Sequence, residues 1–404
     1  AVQENHPITT TLAGQRLGQR ERLLDGVPSG FCAQGLMTGD ALAHLFVIGF
    51  ARRHIDLVET GLGGAPLSAL LFDVDEREAV ATIKRGFELG VRYFDTAPYY
   101  GFGRSERRYS HALAEMHRDD FVISTKVGRV LDPADPNAPD DGFVPHELDA
   151  VFDFSRDGVL RSLEDSLERL NLDRVDIAII HDPDEGESTV GTTFGQPVHY
   201  EQVMAETYPT LAELRSQGVV KAIGVGMNQW QALVRFAKDA EFDCLMLAGR
   251  YTLLDQSGLT ELLPLCQKKR ISVILGGPYN SGILASDLSP GALYFYAKAP
   301  PEVLDRAQRI KAICDRHAVP LKAAALQFPI AHPAVAAILT GVRSLAETEE
   351  NVHMVEHPIP AELWAELHRE GLIPVDAPTT PDANGSLEKI GARGLANASK
   401  GQRP

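Results

Sequence analysis

The chain has 404 residues, 55 acidic against 39 basic, and a formal net charge of -16. That balance argues against a nucleic-acid or anionic-membrane binder, because phosphate contacts need clustered Lys and Arg. It still allows one small anionic ligand in a local basic pocket. The four cysteines (Cys32, Cys244, Cys266, Cys314) are scattered without a CxxC pair, which suits a reducing, cytoplasmic compartment better than a disulfide scaffold. The apolar run 41–50 is too short to span a bilayer.

Residues 1–53 mix Gly, Gln, Arg and Thr with little periodicity and are expected to form a weakly structured N-terminal extension. Short apolar runs then alternate with amphipathic helices over residues 54–373. A first strand is expected near 62–67, a helix over 75–89 and a second strand over 91–94. Strands at 121–125, 175–180 and 222–225 follow, with helices over 157–170, 209–217 and 229–238. The series closes with strands at 244–247, 272–275 and 335–339 and helices over 259–269, 301–317 and 345–355. Residues 374–404 are low in bulky apolar side chains, the composition of a disordered tail.

Strand–helix alternation of this kind predicts a parallel sheet in an α/β fold. Eight units within 54–373 favour a closed (β/α)8 TIM barrel over an open doubly wound sheet. No GxGxxG follows the first strand, so the dinucleotide fingerprint of the open fold is missing.

In a barrel the active site lies at the C-terminal ends of the strands. Three ionisable residues fall there: Asp95 closes the second strand, Lys126 the third and His181 the fourth. Alternation puts Asp95 on the face of Tyr93 and Val91, and Lys126 on the face of Ser124 and Val122. With those faces inward, a carboxylate, an ammonium and an imidazole converge on one rim. Tyr100 lies in the loop just beyond Asp95, but adjacent Tyr99 is locally indistinguishable from it. Taken singly, each charged residue is more often a solvated strand end or a structural ion pair; their coincidence is what points to chemistry.

The stretch Phe94-Asp95-Thr96-Ala97-Pro98-Tyr99-Tyr100-Gly101-Phe102-Gly103-Arg104-Ser105-Glu106 resembles the aldo-keto reductase motif that holds a catalytic Asp and Tyr. Ser124-Thr125-Lys126-Val127-Gly128 resembles the segment with its Lys, and Ile180-His181-Asp182-Pro183-Asp184 the one with its His. The resemblance covers roughly residues 57–373 and implies Asp95, Tyr100, Lys126 and His181 as the catalytic set, the Tyr being the one before Gly. Gly63-Gly64-Ala65-Pro66-Leu67 and the stretch 248–255 are similar to the branch with D-threo-aldose (L-fucose) 1-dehydrogenases and pyridoxal 4-dehydrogenase. Such chemistry suits these residue types. Hydride transfer from a carbinol carbon needs a proton acceptor on its oxygen, and a neighbouring ammonium favours phenolate.

Two loops suit a dinucleotide. Gly276, Gly277 and Ser281 follow the seventh strand, where backbone N–H groups can approach a pyrophosphate. Gly341 and Arg343 follow the eighth strand and open a helix, whose N-terminus favours phosphate. The resemblance implies Glu350 and Asn351 at the adenosine. It also shows departures: Asn228 alone is left to meet the carboxamide, Ala248 stands for a usual Gln, and Gly276 for a usual stacking Tyr. Glu347 would repel a 2′-phosphate and accept a ribose hydroxyl, which favours NAD over NADP, although Arg343 pulls the other way. The expected reaction is oxidation of an aldose hemiacetal (L-fucose or D-arabinose type) to a lactone. Pyridoxal, small-aldehyde reduction and an idle barrel used as a binding subunit are the alternatives. Substrate choice is expected in the loops 129–154 and 182–207, with Phe143, His146, Phe194, His199 and Tyr200.

Overall fold

The computed structural model describes residues 47–49, 56–58, 60–69, 73–134, 147–184, 199–295 and 297–379. Eight parallel strands close into a barrel in chain order, each paired with its sequence neighbours and the last with the first. They are β1 (Thr60–Gly63), β2 (Tyr93–Asp95), β3 (Val122–Val127), β4 (Ile177–His181), β5 (Ala222–Met227), β6 (Cys244–Ala248), β7 (Ser272–Gly276) and β8 (Val335–Gly341). Outside them run α1 (Glu76–Glu88), α2 (Arg104–Leu113), α3 (Arg156–Leu170), α4 (Tyr208–Ser216) and α5 (Trp230–Asp239). The ring is completed by α6 (Leu262–Lys269), α7 (Pro301–Arg316), α8 (Leu321–Ile330), α9 (Leu345–Glu356) and α10 (Ala361–Arg369).

The helices start where their caps allow. The Asp75 carboxylate accepts the N–H groups of Arg77 and Glu78 at the head of α1, and the Ser155 hydroxyl accepts that of Gly158 at the head of α3. α3 ends on Asn171 at φ 52°, a left-handed stop. The first strand lies slightly upstream of the expected 62–67, because the chain turns at Pro66, which lacks an N–H for the ladder, into a short 3-10 turn over Pro66–Ser68. Val47–Gly49 pairs antiparallel with Asp56–Val58 in a hairpin before β1, so a strand falls inside the expected extension 1–53, whose other residues lie outside the described ones. At the other end the described chain continues to residue 379, with Ala377 buried; 380–404 lie outside it.

The barrel interior is a packed core of alternating strand residues: Tyr93, Ile177, Ile179, Cys244, Met246, Ile274, Ala337 and Leu339. Large and small residues interlock there. A Cβ at Gly61 would lie 2.7 Å from the Tyr93 ring, and one at Gly224 would lie 2.6 Å from the Cys244 sulfur. Below this core, two buried carboxylates tie neighbouring strands. Asp176, just before β4, accepts the N–H of Ile123 in β3 at 2.9 Å and pairs with Arg118 (2.6 Å) and Lys221 (2.7 Å). Asp243, just before β6, accepts the N–H of Ile223 in β5 at 3.0 Å and pairs with Arg215 at 2.7 Å. The opposite rim carries the site. No helix among the described residues is long and apolar enough to cross a membrane.

Candidate active site

Asp95 is the last residue of β2 and Lys126 the penultimate residue of β3; register pairs Asp95 with Ser124, and Lys126 stands two residues further along on the face of Ser124. Lys126 Nζ donates to Asp95 Oδ2 at 2.6 Å and to the Thr96 carbonyl at 2.9 Å. The other carboxylate oxygen accepts from Ser124 Oγ at 2.7 Å, and that hydroxyl lies 3.0 Å from Tyr93 Oη. Lys126 is only 1% exposed, and an ammonium so buried is tolerated only when paired and hydrogen-bonded in this way. The expected facing of Ser124 with Lys126 is present. The Ser124 role itself was missed at the sequence level, and its signal was that shared face.

Tyr100 reaches the same rim from the loop after β2. The loop is wound in turns, with Tyr100 N–H donating to Ala97 O and Ser105 N–H to Tyr100 O. Gly101 follows at φ +61°, where an added Cβ would stand 2.2 Å from the Ser68 carbonyl, so only glycine lets the loop pack against that turn. Lys126 Nζ lies 4.5 Å from the Tyr100 ring centroid. The Tyr100 ring meets the His181 ring nearly perpendicularly at 5.7 Å. His181, the last residue of β4, is 5% exposed. Burial holds its pKa well below the ordinary histidine value, and the charges of Arg129 and Lys126 push it the same way. At neutral pH it is therefore a neutral hydrogen-bonding group. The four expected catalytic residues thus meet at one end of the barrel.

Asp95 and Tyr100 open onto a cleft also lined by Asn228, Gly276, Gly277, Ser281 and Gly341. Backbone and small residues line much of it, together with Met246, Leu339 and Phe295. A Cβ at Gly276 would touch only Ala248, at 3.6 Å, and one at Gly277 only the Gly249 nitrogen, at 3.9 Å. The loop beyond β7 passes through left-handed conformations at Gly277, Asn280, Ser281 and Gly282, a backbone form that builds anion-binding concavities. Asn280 braces it, accepting from Thr252 Oγ1 (2.5 Å) and donating to Gly249 O (2.9 Å). Asn228 donates to Ala248 O at 3.1 Å. A flat, phosphate-bearing dinucleotide fits these features: a cleft beside Tyr100 that small residues at Ala248, Gly276 and Gly277 leave open, and a left-handed loop after β7.

At that head, Ser344 caps the helix. Glu347 accepts the Arg343 N–H at 2.8 Å and pairs with its guanidinium at 2.9 Å. Glu350 pairs with Lys322 at 2.6 Å. Asn351 is buried and accepts from Tyr279 Oη at 2.8 Å, holding the β7 loop from behind. Arg343, Glu347, Glu350 and Asn351 lie off the cleft lining. Of the loop candidates, His199 packs at a tilt against the rings of Phe152 and Phe154, and Tyr200 is buried, donating to Asp239. Phe143, His146 and Phe194 lie outside the described residues.

The aldo/keto reductase family model matches residues 60–369. A pyridoxal 4-dehydrogenase of Microbacterium luteolum is 41% identical over 340 residues, covering 80% of this chain and 96% of that protein. A D-threo-aldose 1-dehydrogenase of a Pseudomonas species is 39% identical over 321 residues, covering 78% and 94%. Among solved structures, an aldo-keto reductase from Bacillus halodurans in its holo form superposes with a TM-score of 0.63 at 25% identity, covering 81% of this chain and 96% of that one.

Proposed function

The chain belongs to the aldo/keto reductase family and is an NAD(P)-dependent oxidoreductase; from that premise we propose that it oxidises the cyclic hemiacetal of an aldose, of the L-fucose or D-arabinose type, to a lactone, using NAD. The observation that carries this reading is the tyrosine at an open slot with a buried, carboxylate-held ammonium behind its ring. The ring form of an aldose already holds the hydroxyl and hydrogen that oxidation removes. Tyr100 takes the hydroxyl proton, and the Lys126 charge stabilises the phenolate that does so. Asp95 and the Thr96 carbonyl keep that ammonium in place, and neutral His181 orients the substrate oxygen.

A nicotinamide dinucleotide, when bound, supplies the acceptor for the hydride that leaves the anomeric carbon. Gly276, Gly277 and Ser281 would hold its pyrophosphate, Asn228 its carboxamide, and the head of α9 its adenosine end, with Glu350 and Asn351 nearby. The Arg343–Glu347 pair supports NAD, since the cation there already has a carboxylate against it. A second reading, pyridoxal as substrate, is supported by the 41% identical relative; its internal hemiacetal gives a lactone by the same step.

Initial rates with a panel of aldoses and pyridoxal, followed at the nicotinamide absorbance, test the substrate class. Early-time NMR tests the product: lactone precedes carboxylic acid, and NADH, formed with one proton, appears before the second proton that lactone hydrolysis releases. Free acid in step with NADH, without lactone at mildly acidic pH, rules the hemiacetal step out.

A further inference from the structure

Beyond β7 the chain forms a small hairpin, Leu293–Tyr294 pairing antiparallel with Ala297–Lys298, and Phe295 stands at its turn with φ +49°. A tight hairpin turn asks for positive φ and is usually met by Asn, Asp or Gly, so a bulky aromatic there is held against its backbone preference. Its neighbours hold it. The Arg250 guanidinium lies over the ring, 3.9 Å from the centroid, and pairs with Asp255 at 3.0 Å. Asp255 also accepts from Tyr294 Oη at 3.2 Å, and the Tyr294 ring meets that of Phe295 edgewise at 4.8 Å. The segment after β6 thereby seats the hairpin that follows β7.

The ring so seated lines the same cleft as Asp95 and Tyr100. Its tip overhangs Gly249, the residue after β6: a Cβ there would lie 3.6 Å from Phe295 Cζ. Gly249 is tied in turn to the end of β7, its N–H donating to Gly276 O at 2.9 Å. Phe295 therefore stands beside the stretch of the cleft where Ala248, Gly249, Gly276 and Gly277 present little but backbone. Asn228 donates to Ala248 O at 3.1 Å and lines this stretch too. An exposed aromatic edge facing bare backbone suits a flat ring, which fills the space and meets the aromatic in an offset or edgewise contact.

We propose that Phe295 is a cofactor-binding residue that packs against the nicotinamide half of the dinucleotide, and that Arg250 is the positioning residue that holds its ring there. Of the two halves, the nicotinamide is the one that must reach the Tyr100 end of the cleft to accept hydride. Arg250 covers one face of the Phe295 ring, so the contact is made by what remains open to the cleft. Phe295 has no group to donate or accept a proton, and its contribution falls on binding rather than on the chemical step. The inference rests on the nicotinamide chemistry of the family and not on an aldose as substrate.

Titration calorimetry of the dinucleotide-free enzyme with NADH, and with ADP-ribose, which lacks the nicotinamide, separates the two halves. Phe295→Ala weakens NADH binding about tenfold and leaves ADP-ribose binding unchanged. Arg250→Met weakens NADH about threefold and adds nothing further in the Phe295→Ala background, because it acts through that ring. Should Phe295→Ala fail to fold, Phe295→Leu, which keeps the bulk without the flat face, reads the same contrast. Where NADPH is the tighter ligand, NADPH and 2′-phospho-ADP-ribose take the places of the pair. Wild-type NADH affinity in Phe295→Ala, or a loss shared equally by ADP-ribose, overturns the proposal. An Arg250→Met effect that persists in full without Phe295 removes the positioning role. A wild-type enzyme that binds none of these nucleotides would overturn the cofactor reading itself, and the proposal with it.

Discussion

Tyr99 and Tyr100 are neighbours, both half-buried, both with a cation over the ring and both touching His181. What separates them is the cation. Only Tyr100 faces the cleft, and only its ring has an ammonium that is part of the Asp95 network. Tyr100→Phe therefore lowers kcat by at least about 10²-fold with dinucleotide binding retained, whereas Tyr99→Phe costs far less; comparable losses in the two would mean the wrong tyrosine. Lys126→Met leaves the buried Asp95 carboxylate with Ser124 but without its cation, and breaking a buried pair from one side costs about 3–5 kcal/mol, which denaturant melts would register alongside the lost turnover. That the four residues proposed for catalysis meet at one rim was legible because each stands at or just beyond a strand end in a short local pattern. The Arg129–Asp182 ion pair was not, since a hairpin after β3 and a left-handed turn after β4 bring those segments together.

At the level of elements, most amphipathic helices were legible, α10 being passed over, and two other kinds were not. α8 (LKAAALQFPI) is apolar on nearly every side, with Ala323, Ala324, Ala325, Leu326 and Phe328 all buried, so no stripe marks it. α2 has the opposite disguise: Arg108, Ser105 and Glu106 are buried, with Glu106 bonded to Thr125 (2.8 Å) and Arg169 (2.5 Å), so polarity does not mark its solvent face. The head of α9 is the element that bears on cofactor choice. Because Glu347 holds both the backbone and the guanidinium of Arg343, kinetics with both cofactors are expected to show that wild type prefers NAD. Glu347→Gln or Glu347→Arg moves the ratio of kcat/KM values toward NADP, by releasing Arg343 from that carboxylate or adding a second cation. A wild-type preference for NADP would show that Arg343 governs the pocket instead.

Across the whole molecule, the barrel was legible from alternation alone, while its pH response depends on packing that sequence does not display. His332 is buried against Tyr251, its Nδ1 accepts the Ala334 N–H at 3.1 Å, and burial lowers its pKa to about 4. The unfolded chain binds a proton near pH 6.5 that the folded chain refuses until about pH 4, so stability falls as pH drops through that window. For His332 alone the loss reaches about 3 kcal/mol, and depressed His181 adds to it with the same sign. Urea melts across the window would show that slope, and His332→Gln would flatten it.

The carboxylate ties through Asp176 and Asp243 have a separate consequence for how the molecule breathes. Each clamps a backbone amide of a preceding strand, Ile123 and Ile223, with a buried cation-backed acceptor. Deuterium should therefore reach those two amides only through global opening, while amides of the β7 loop exchange through local excursions. The closed end then acts as the anvil of the fold, and the catalytic end is free to flex around a ligand without loosening the strands beneath it.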